Sequence, residues 1–365
     1  MIRQWIGHFI RHIDSILLAT VLMVLVVALM VLYSASGQSL LKVNAQLINI
    51  VVMLGVMFLV ANTQPQHIER IALPAYLLGL ALLIAVALVG DISHGARRWL
   101  NLGVTKIQPS ELMKLAVPIM LSWYFSKRES MLRTADYIVA GIILLTPVLL
   151  IAKQPDLGTA TLVFASGFYV IFLAGLSWKF ILGSAVAFGA ALPILWSMLH
   201  DYQRRRVEIL IDPSQDPLGA GYHIIQATIA IGSGGTTGKG WLNGTQSQLD
   251  FVPERTTDFI FAVFAEEFGL VGCSLLLLLF TIIIGRAFII ASQAKSTFSR
   301  LLAGSIAATF FTYCFVNMGM VSGILPVVGI PLPLVSYGGT SLLTLGLSLG
   351  LLMSVQSHKR LVATD

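Results

Sequence analysis

The 365 residues are 56% hydrophobic and only 11% charged, with a mean hydropathy of +0.86. A water-soluble domain carries about 25% charged residues, so the composition excludes an ordinary soluble enzyme and makes lipid the main solvent. The net charge of +6 would suggest nucleic acid in a soluble protein, but in a membrane chain lysine and arginine serve to hold loops in the cytoplasm, and no nucleic-acid partner is expected.

Crossing hydrocarbon takes about 20 apolar residues of helix. Stretches of that kind predict spans at 15–34, 44–62, 71–90, 109–126, 135–152, 158–175, 179–199, 258–285, 300–322 and 338–356. The chain is therefore expected to be an all-α polytopic membrane protein, a bundle of about ten transmembrane helices forming a single membrane domain over residues 1–365. The first apolar run, Ser15 to Tyr33, exceeds the roughly 7–15 residues of a signal-peptide core and is read as an uncleaved span. The fourth is interrupted by Glu111, Lys114 and Pro118. Cys273 and Cys314 both fall in apolar runs, which leaves no disulfide framework on the outer face and no zinc-ligand spacing.

Orientation follows from the loops. With both termini cytoplasmic, the inner segments hold Arg3, Arg11, Arg70, Lys127, Arg128, Arg133, Lys179, Arg286, Lys295, Arg300, Lys359 and Arg360, whereas the ordinary outer loops hold little beyond Lys42 and Lys153. Two outer segments depart from this rule. Asp91 to Lys114 carries Arg97, Arg98, Lys106 and Lys114; the large periplasmic loop before the eighth span, 200–257, carries Arg204, Arg205, Arg206, Lys239 and Arg255. Two cationic loops on the outer face suit an anionic headgroup such as a diphosphate, or are solvated loops lying against bulk anionic lipid.

A carboxylate inside a span costs about 2.5–3.5 kcal/mol, so Glu111, Asp156, Asp258, Glu266 and Glu267 stand out among the acidic residues. Asp258 follows Arg255-Thr256-Thr257, where a polar loop becomes an apolar helix. A threonine cap would leave it in the first helical turn, a position the helix dipole favours without any catalytic duty. Glu266 and Glu267 lie two turns deeper and cannot both share its face; structural hydrogen bonding is the simpler role for them. Glu111 and Lys114, three apart, form either a structural ion pair or a phosphate-binding pair. The segment 231–240, with Gly232, Gly234, Gly235, Gly238, Lys239 and Gly240, fails the Walker pattern and reads as a flexible turn whose backbone N–H groups touch a headgroup. Gly346 and Gly350 give a GxxxG spacing, a weak signal for close helix packing. Pro326, Pro331 and Pro333 form a rigid outer loop that ends in Ser336-Tyr337-Gly338-Gly339, where the Ser336 hydroxyl is available to a sugar or phosphate.

Taken together, Arg97-Arg98-Trp99-Leu100, Gln108-Pro109-Ser110-Glu111-Leu112-Met113-Lys114, Gln154-Pro155-Asp156-Leu157-Gly158-Thr159, Gly219-Ala220-Gly221-Tyr222, Gly238-Lys239-Gly240-Trp241 and Pro253-Glu254-Arg255-Thr256-Thr257-Asp258-Phe259-Ile260-Phe261 span nearly the whole chain. In this order they resemble the shape, elongation, division and sporulation family of membrane proteins. Arg11-His12-Ile13-Asp14, behind a short leading segment, is similar to the elongation branch rather than the division branch.

That resemblance implies a peptidoglycan glycosyltransferase of the bacterial inner membrane, which polymerises the lipid-linked disaccharide-pentapeptide lipid II. Its expected partners are a class B penicillin-binding protein and the elongation proteins MreC and MreD. The resemblance makes Asp258 the catalytic residue. Substrate binding is expected of Arg98, Trp99, Glu111, Lys114, Asp156, Gln203, Arg204, Arg206, Lys239 and Ser336. A divalent ion, Mg²⁺ or Mn²⁺, held by Asp258 or Asp156, is expected to share the neutralisation of diphosphate. Inversion at the anomeric carbon needs one general base, unlike the carboxylate pair of a glycosidase. The alternatives are a flippase for the same lipid and a non-catalytic scaffold for a transpeptidase.

Overall fold

The computed structural model describes residues 13–358 apart from 94–95, 102–105, 129–131, 155, 199–203, 205–207, 211, 217–218, 250 and 253. Its helices are α1 (Ser15–Ala35), α2 (Leu40–Ala61), the short α3 (Pro65–Arg70), α4 (Ala72–Val89), α5 (Pro109–Ser126), α6 (Thr134–Lys153), α7 (Leu157–Leu173), α8 (Trp178–Met198), α9 (Ala220–Gly234), the short α10 (Thr245–Gln248), α11 (Ile260–Ser292), α12 (Thr297–Val321) and α13 (Gly339–Ser357). Every predicted span thus coincides with a helix, because an apolar run can bury its backbone polar groups in lipid only by closing them on themselves. Among the described residues, seven of the helices are long and apolar enough to cross a membrane: α1, α2, α4, α6, α11, α12 and α13. Leu41, Val51, Leu77, Leu88, Ile142 and Leu275 are among the large apolar side chains left exposed on these helices, as expected where the outer surface faces lipid.

α5 is the exception that explains its own sequence. It packs against α4, α7 and α12, and its residues are buried on nearly all sides. A helix surrounded by protein can keep Glu111 and Lys114, because each charge finds a partner inside the bundle. The GxxxG spacing is also used. A Cβ at Gly346 would lie 2.8 Å from the Met53 carbonyl oxygen, and one at Gly350 would lie 2.6 Å from that of Met57. Glycine is what lets α13 approach α2 this closely. At the start of α1, Asp14 caps the helix by accepting from the Leu17 N–H at 3.0 Å, and the same carboxylate pairs with Arg286 of α11 at 2.6 Å.

Two features correct the all-α expectation. Between α4 and α5 the chain forms a three-stranded antiparallel sheet of β1 (Asp91–Ser93), β2 (Ala96–Asn101) and β3 (Lys106–Ile107), with Asp91 opposite Trp99 and Leu100 opposite Ile107. A connection pressed against the bundle must pair its own backbone groups, and a strand ladder does so where the sequence lacks helical periodicity.

The second is a break in α11. The eighth predicted span runs through Gly269, which adopts φ 63°, ψ −163° and splits the helix. The glycine-rich turn after α9 fills the break. Lys239 and Gly240 donate their N–H groups to the Glu266 and Glu267 carbonyls at 3.0 and 2.9 Å, and Leu270 and Val271 donate to Gly235 and Thr236 at 3.0 Å each. These hydrogen bonds satisfy backbone groups that the interrupted helix would otherwise strand. The turn expected to offer its N–H groups to a headgroup instead spends two of them on a helix.

Candidate active site

Asp258 lies in a tight turn just ahead of α11 rather than in its first helical turn. Thr256 and Thr257 do not cap the helix: Phe259 holds the cap position without a side-chain cap, and the Thr257 hydroxyl donates back to the Glu254 carboxylate at 2.8 Å. The turn closes on the Glu254 carbonyl, which accepts from Thr257 and Phe259 N–H at 3.0 and 3.2 Å. Glu254 pays for this position with a left-handed backbone, φ 49°, a local strain common at functional sites.

The rest of the bundle clamps that turn from behind. Asn317 of α12 donates to the carbonyls of Asp258 and Ile330 at 2.8 and 2.7 Å. The Ser336 hydroxyl donates to the Thr257 carbonyl at 2.7 Å and accepts from Leu332 N–H at 2.8 Å, while Tyr337 N–H donates to the Thr256 carbonyl at 2.9 Å. With the turn held in this way, the Asp258 carboxylate lines a cleft of about 370 Å³.

Arg98 from β2, Asp156 at the start of α7, His223 from α9, Glu254 and the Val327–Gly329 segment line the same cleft. A Cβ at Gly329 would come within 3.4 Å of Asp258 Oδ2. Burial pushes the Asp258 carboxyl up to about 6, and the neighbouring negative charge of Glu254 adds to the rise. A carboxylate in that range accepts a proton more readily than a solvated one near its ordinary value of 3.8. Asp156 caps α7 by accepting from Thr159 N–H at 3.2 Å; it also accepts from Gln108 at 3.1 Å and faces Arg98 Nε at 3.9 Å. Arg98 is thereby held at the cleft beside Asp156.

The other expected binding residues are dispersed. Lys114 is buried beneath the site, 2.5 Å from Glu111 and over the Tyr313 ring at 5.3 Å, and Glu111 also accepts from Thr344 at 3.3 Å. That arrangement is the ion-pair reading of the two. Lys239 pairs with Glu266 at 2.8 Å, and the same carboxylate accepts from Gln246 and Ser247 N–H. Glu267 accepts from Ser34. Both glutamates therefore organise the broken helix. Arg204 donates to the Trp196 and Ser197 carbonyls at 3.0 and 2.7 Å, closing the end of α8. Trp99 follows Arg98 on β2 and so points to the opposite face of the strand. Ser336 has both hydrogen-bonding directions occupied by backbone. Gln203 and Arg206 lie outside the described residues.

Sequence reasoning missed His223 and Glu254 as cleft residues. His223 carried no signal beyond being a histidine in a polar loop; Glu254 stands four before Asp258, but only the turn that folds it back brings the two carboxylates together. Among the described residues, no group of three or more His, Cys, Asp or Glu side chains converges as a metal cage. Asp258 and Asp156 fit at most part of the shell of a Mg²⁺ or Mn²⁺ ion whose other oxygens come from phosphate or water.

Comparison with known proteins agrees with this architecture. A family model for cell cycle proteins, covering FtsW, RodA and SpoVE, matches residues 9–361. The chain is 49% identical over 353 residues to the peptidoglycan glycosyltransferase MrdB of Escherichia coli (strain K12), covering 96% of this chain and 95% of that one. It is 37% identical over 290 residues to the probable peptidoglycan glycosyltransferase FtsW of Aliivibrio salmonicida, covering 78% and 72%. Among solved structures, it matches a chain from a peptidoglycan synthase complex that coordinates polymerization and crosslinking, with a TM-score of 0.85, 32% identity and coverage of 95% and 98%. It also matches the Thermus thermophilus rod shape determining protein RodA, with a TM-score of 0.71, 29% identity and coverage of 96% and 98%. The chain belongs to the cell cycle protein family of FtsW, RodA and SpoVE, which is the shape, elongation, division and sporulation family its motifs resemble.

Proposed function

We propose that the chain is a peptidoglycan glycosyltransferase of the elongation branch, polymerising lipid II into β-1,4-linked glycan and releasing undecaprenyl diphosphate. The similarity to MrdB over nearly the full length of both chains supports the activity. The observation that carries the mechanism is the Asp258 carboxyl, raised to about 6, in a cleft that Arg98 also lines.

In that mechanism the Asp258 carboxylate takes the proton of the acceptor sugar hydroxyl as its oxygen attacks the anomeric carbon of the donor. The bond from that carbon to the diphosphate oxygen breaks, and the diphosphate leaves with the electron pair. Diphosphate is a stable anion, so no second carboxyl is needed to protonate it, and a single base suffices for inversion. Arg98 stabilises the charge that develops on the leaving group. Asp258 or Asp156 would hold a divalent ion, which would supply Lewis-acid stabilisation of the negative charge on the leaving group.

This reading extends to the surroundings. The chain crosses the bacterial inner membrane about ten times with both termini cytoplasmic, so residues 200–257 and the Asp258 cleft face the periplasm, where the lipid-linked precursor is consumed. A class B penicillin-binding protein is its partner, in keeping with the complex from which a similar chain was solved; MreC and MreD complete the elongation assembly.

Purified protein with labelled lipid II in detergent tests the proposal. The wild-type chain forms polymer, and Asp258→Asn forms none while its thermal unfolding is unchanged. Polymerisation at the normal rate by Asp258→Asn would refute the base assignment. Absence of polymer from the wild-type chain with its transpeptidase partner present would leave flipping or scaffolding as its role.

A further inference from the structure

We propose that His223 is a substrate-positioning residue, its imidazole hydrogen-bonding a neutral sugar hydroxyl or amide of the substrate held in the Asp258 cleft. The inference rests on the glycosyltransferase reading and adds to it the group that orients the sugar.

The position of the ring is fixed from two sides. At the start of α9, the Tyr222 and His223 N–H groups donate to the Asp216 and Gly219 carbonyls at 3.2 and 3.3 Å. A Cβ at Gly221 would lie 2.0 Å from the Pro213 carbonyl oxygen, so the first turn of α9 sits directly on the preceding turn, Pro213–Gln215. From there the imidazole stacks on Phe259, with ring centroids 5.7 Å apart and planes inclined by 25°. Phe259 is itself buried and adjoins Asp258 in sequence. The histidine is therefore registered to the base through one rigid ring, the kind of placement that positioning requires.

What the ring lacks at Nδ1 is a hydrogen-bond partner in the protein. This atom is buried with no hydrogen bond, although about nine in ten buried polar atoms have one. Stacking accounts for the apolar face of the imidazole and leaves Nδ1 unexplained. In a residue that lines a cleft, the missing partner belongs to whatever fills the cleft.

Charge selects the chemistry of that ligand. Among the described lining residues Arg98 is the guanidinium, whereas Glu254, Asp258 and Asp156 are carboxylates. A diphosphate is drawn to the Arg98 side and repelled by Glu254 and Asp258. Burial also lowers His223 from its ordinary 6.5, against the pull of Glu254 and Asp216, which favours the neutral ring. A neutral imidazole beside carboxylates suits a hydroxyl or acetamido group, and pairs poorly with phosphate.

Two substitutions separate positioning from packing. His223→Phe keeps a ring to stack on Phe259 but removes both nitrogens; His223→Gln restores a polar group at the same reach without the ring. Steady-state polymerisation of lipid II by the purified chain with its transpeptidase partner is measured for each, together with thermal unfolding. His223→Phe is expected to raise KM or lower kcat/KM about three- to tenfold, the worth of one hydrogen bond to an uncharged group, at unchanged unfolding temperature. His223→Gln recovers at least half of that loss. Wild-type kinetics for His223→Phe, or a loss in His223→Gln as large as in His223→Phe, overturns the inference. If the wild-type chain makes no polymer, the catalytic reading fails by itself, and binding of fluorescent lipid II then decides. Weaker binding by His223→Phe with recovery by His223→Gln upholds the sugar contact, and equal binding by all three removes it.

Discussion

Replacing Gly238 by alanine isolates what the glycine-rich turn contributes. Gly238 has φ 78°, and an added Cβ would stand 2.1 Å from the Glu267 carbonyl oxygen and 2.5 Å from its carbon. Both are main-chain atoms of α11 and cannot rotate away, so the turn must retreat from the helix break. The left-handed backbone alone costs about 1–3 kcal/mol for a residue with a Cβ. Retreat also strands buried groups: losing even two of the four hydrogen bonds that bridge the turn and the break adds about 1–3 kcal/mol each. The sum is about 3–9 kcal/mol, a large fraction of a typical stability of about 5–15 kcal/mol. Gly235→Ala is the matched control. It shares a positive φ of 56° in the same turn but has open space around its Cβ, so it incurs the backbone cost without the collision. Unfolding of each detergent-purified variant, followed by tryptophan fluorescence against temperature, gives the comparison. Gly238→Ala is expected to lower the midpoint at least twice as far as Gly235→Ala. Equal shifts, or no shift for Gly238→Ala, would refute the idea that close backbone approach holds the broken helix together.

Two further outcomes are expected. The pH profile of kcat/KM should carry an acid limb from Asp258: because its carboxyl lies near 6 and works as the anion, the rate falls as pH drops through 6, to about one-tenth of the plateau at pH 5. A profile flat from pH 5 to 8 would contradict that assignment. Lys114→Met should destabilise the chain by about 3–5 kcal/mol by leaving the Glu111 carboxylate unpaired in the bundle, and adding Glu111→Gln should recover most of that loss. A double variant as unstable as the single one in the same melting assay would show that the pair is not what holds these charges.

The helices were legible before any coordinates, because the test for a span is one-dimensional: enough consecutive apolar residues to keep a backbone out of water. That is why each predicted segment coincides with a helix, and why α5, with its two charges, was the least typical. The sheet at Asp91–Ile107 and the break at Gly269 were not legible. Strand pairing in so short a connection leaves no periodic trace, and a glycine inside an apolar run looks the same whether or not the helix continues through it.

The site divides along the same line. Asp258 stood out as a carboxyl at the mouth of an apolar helix, and Arg98 as a cation in an unusually basic loop. Glu266, Glu267, Lys239 and Ser336 stood out equally by type, yet their hydrogen bonds are spent on one another and on the backbone. The sequence by itself determined that this is a helical membrane chain with charged residues it could not afford to leave unpaired. Only the tertiary structure decided which charges neutralise each other and which meet across an open cleft. Pairing depends on distances of a few ångströms between residues far apart in the chain, and those distances are set by packing.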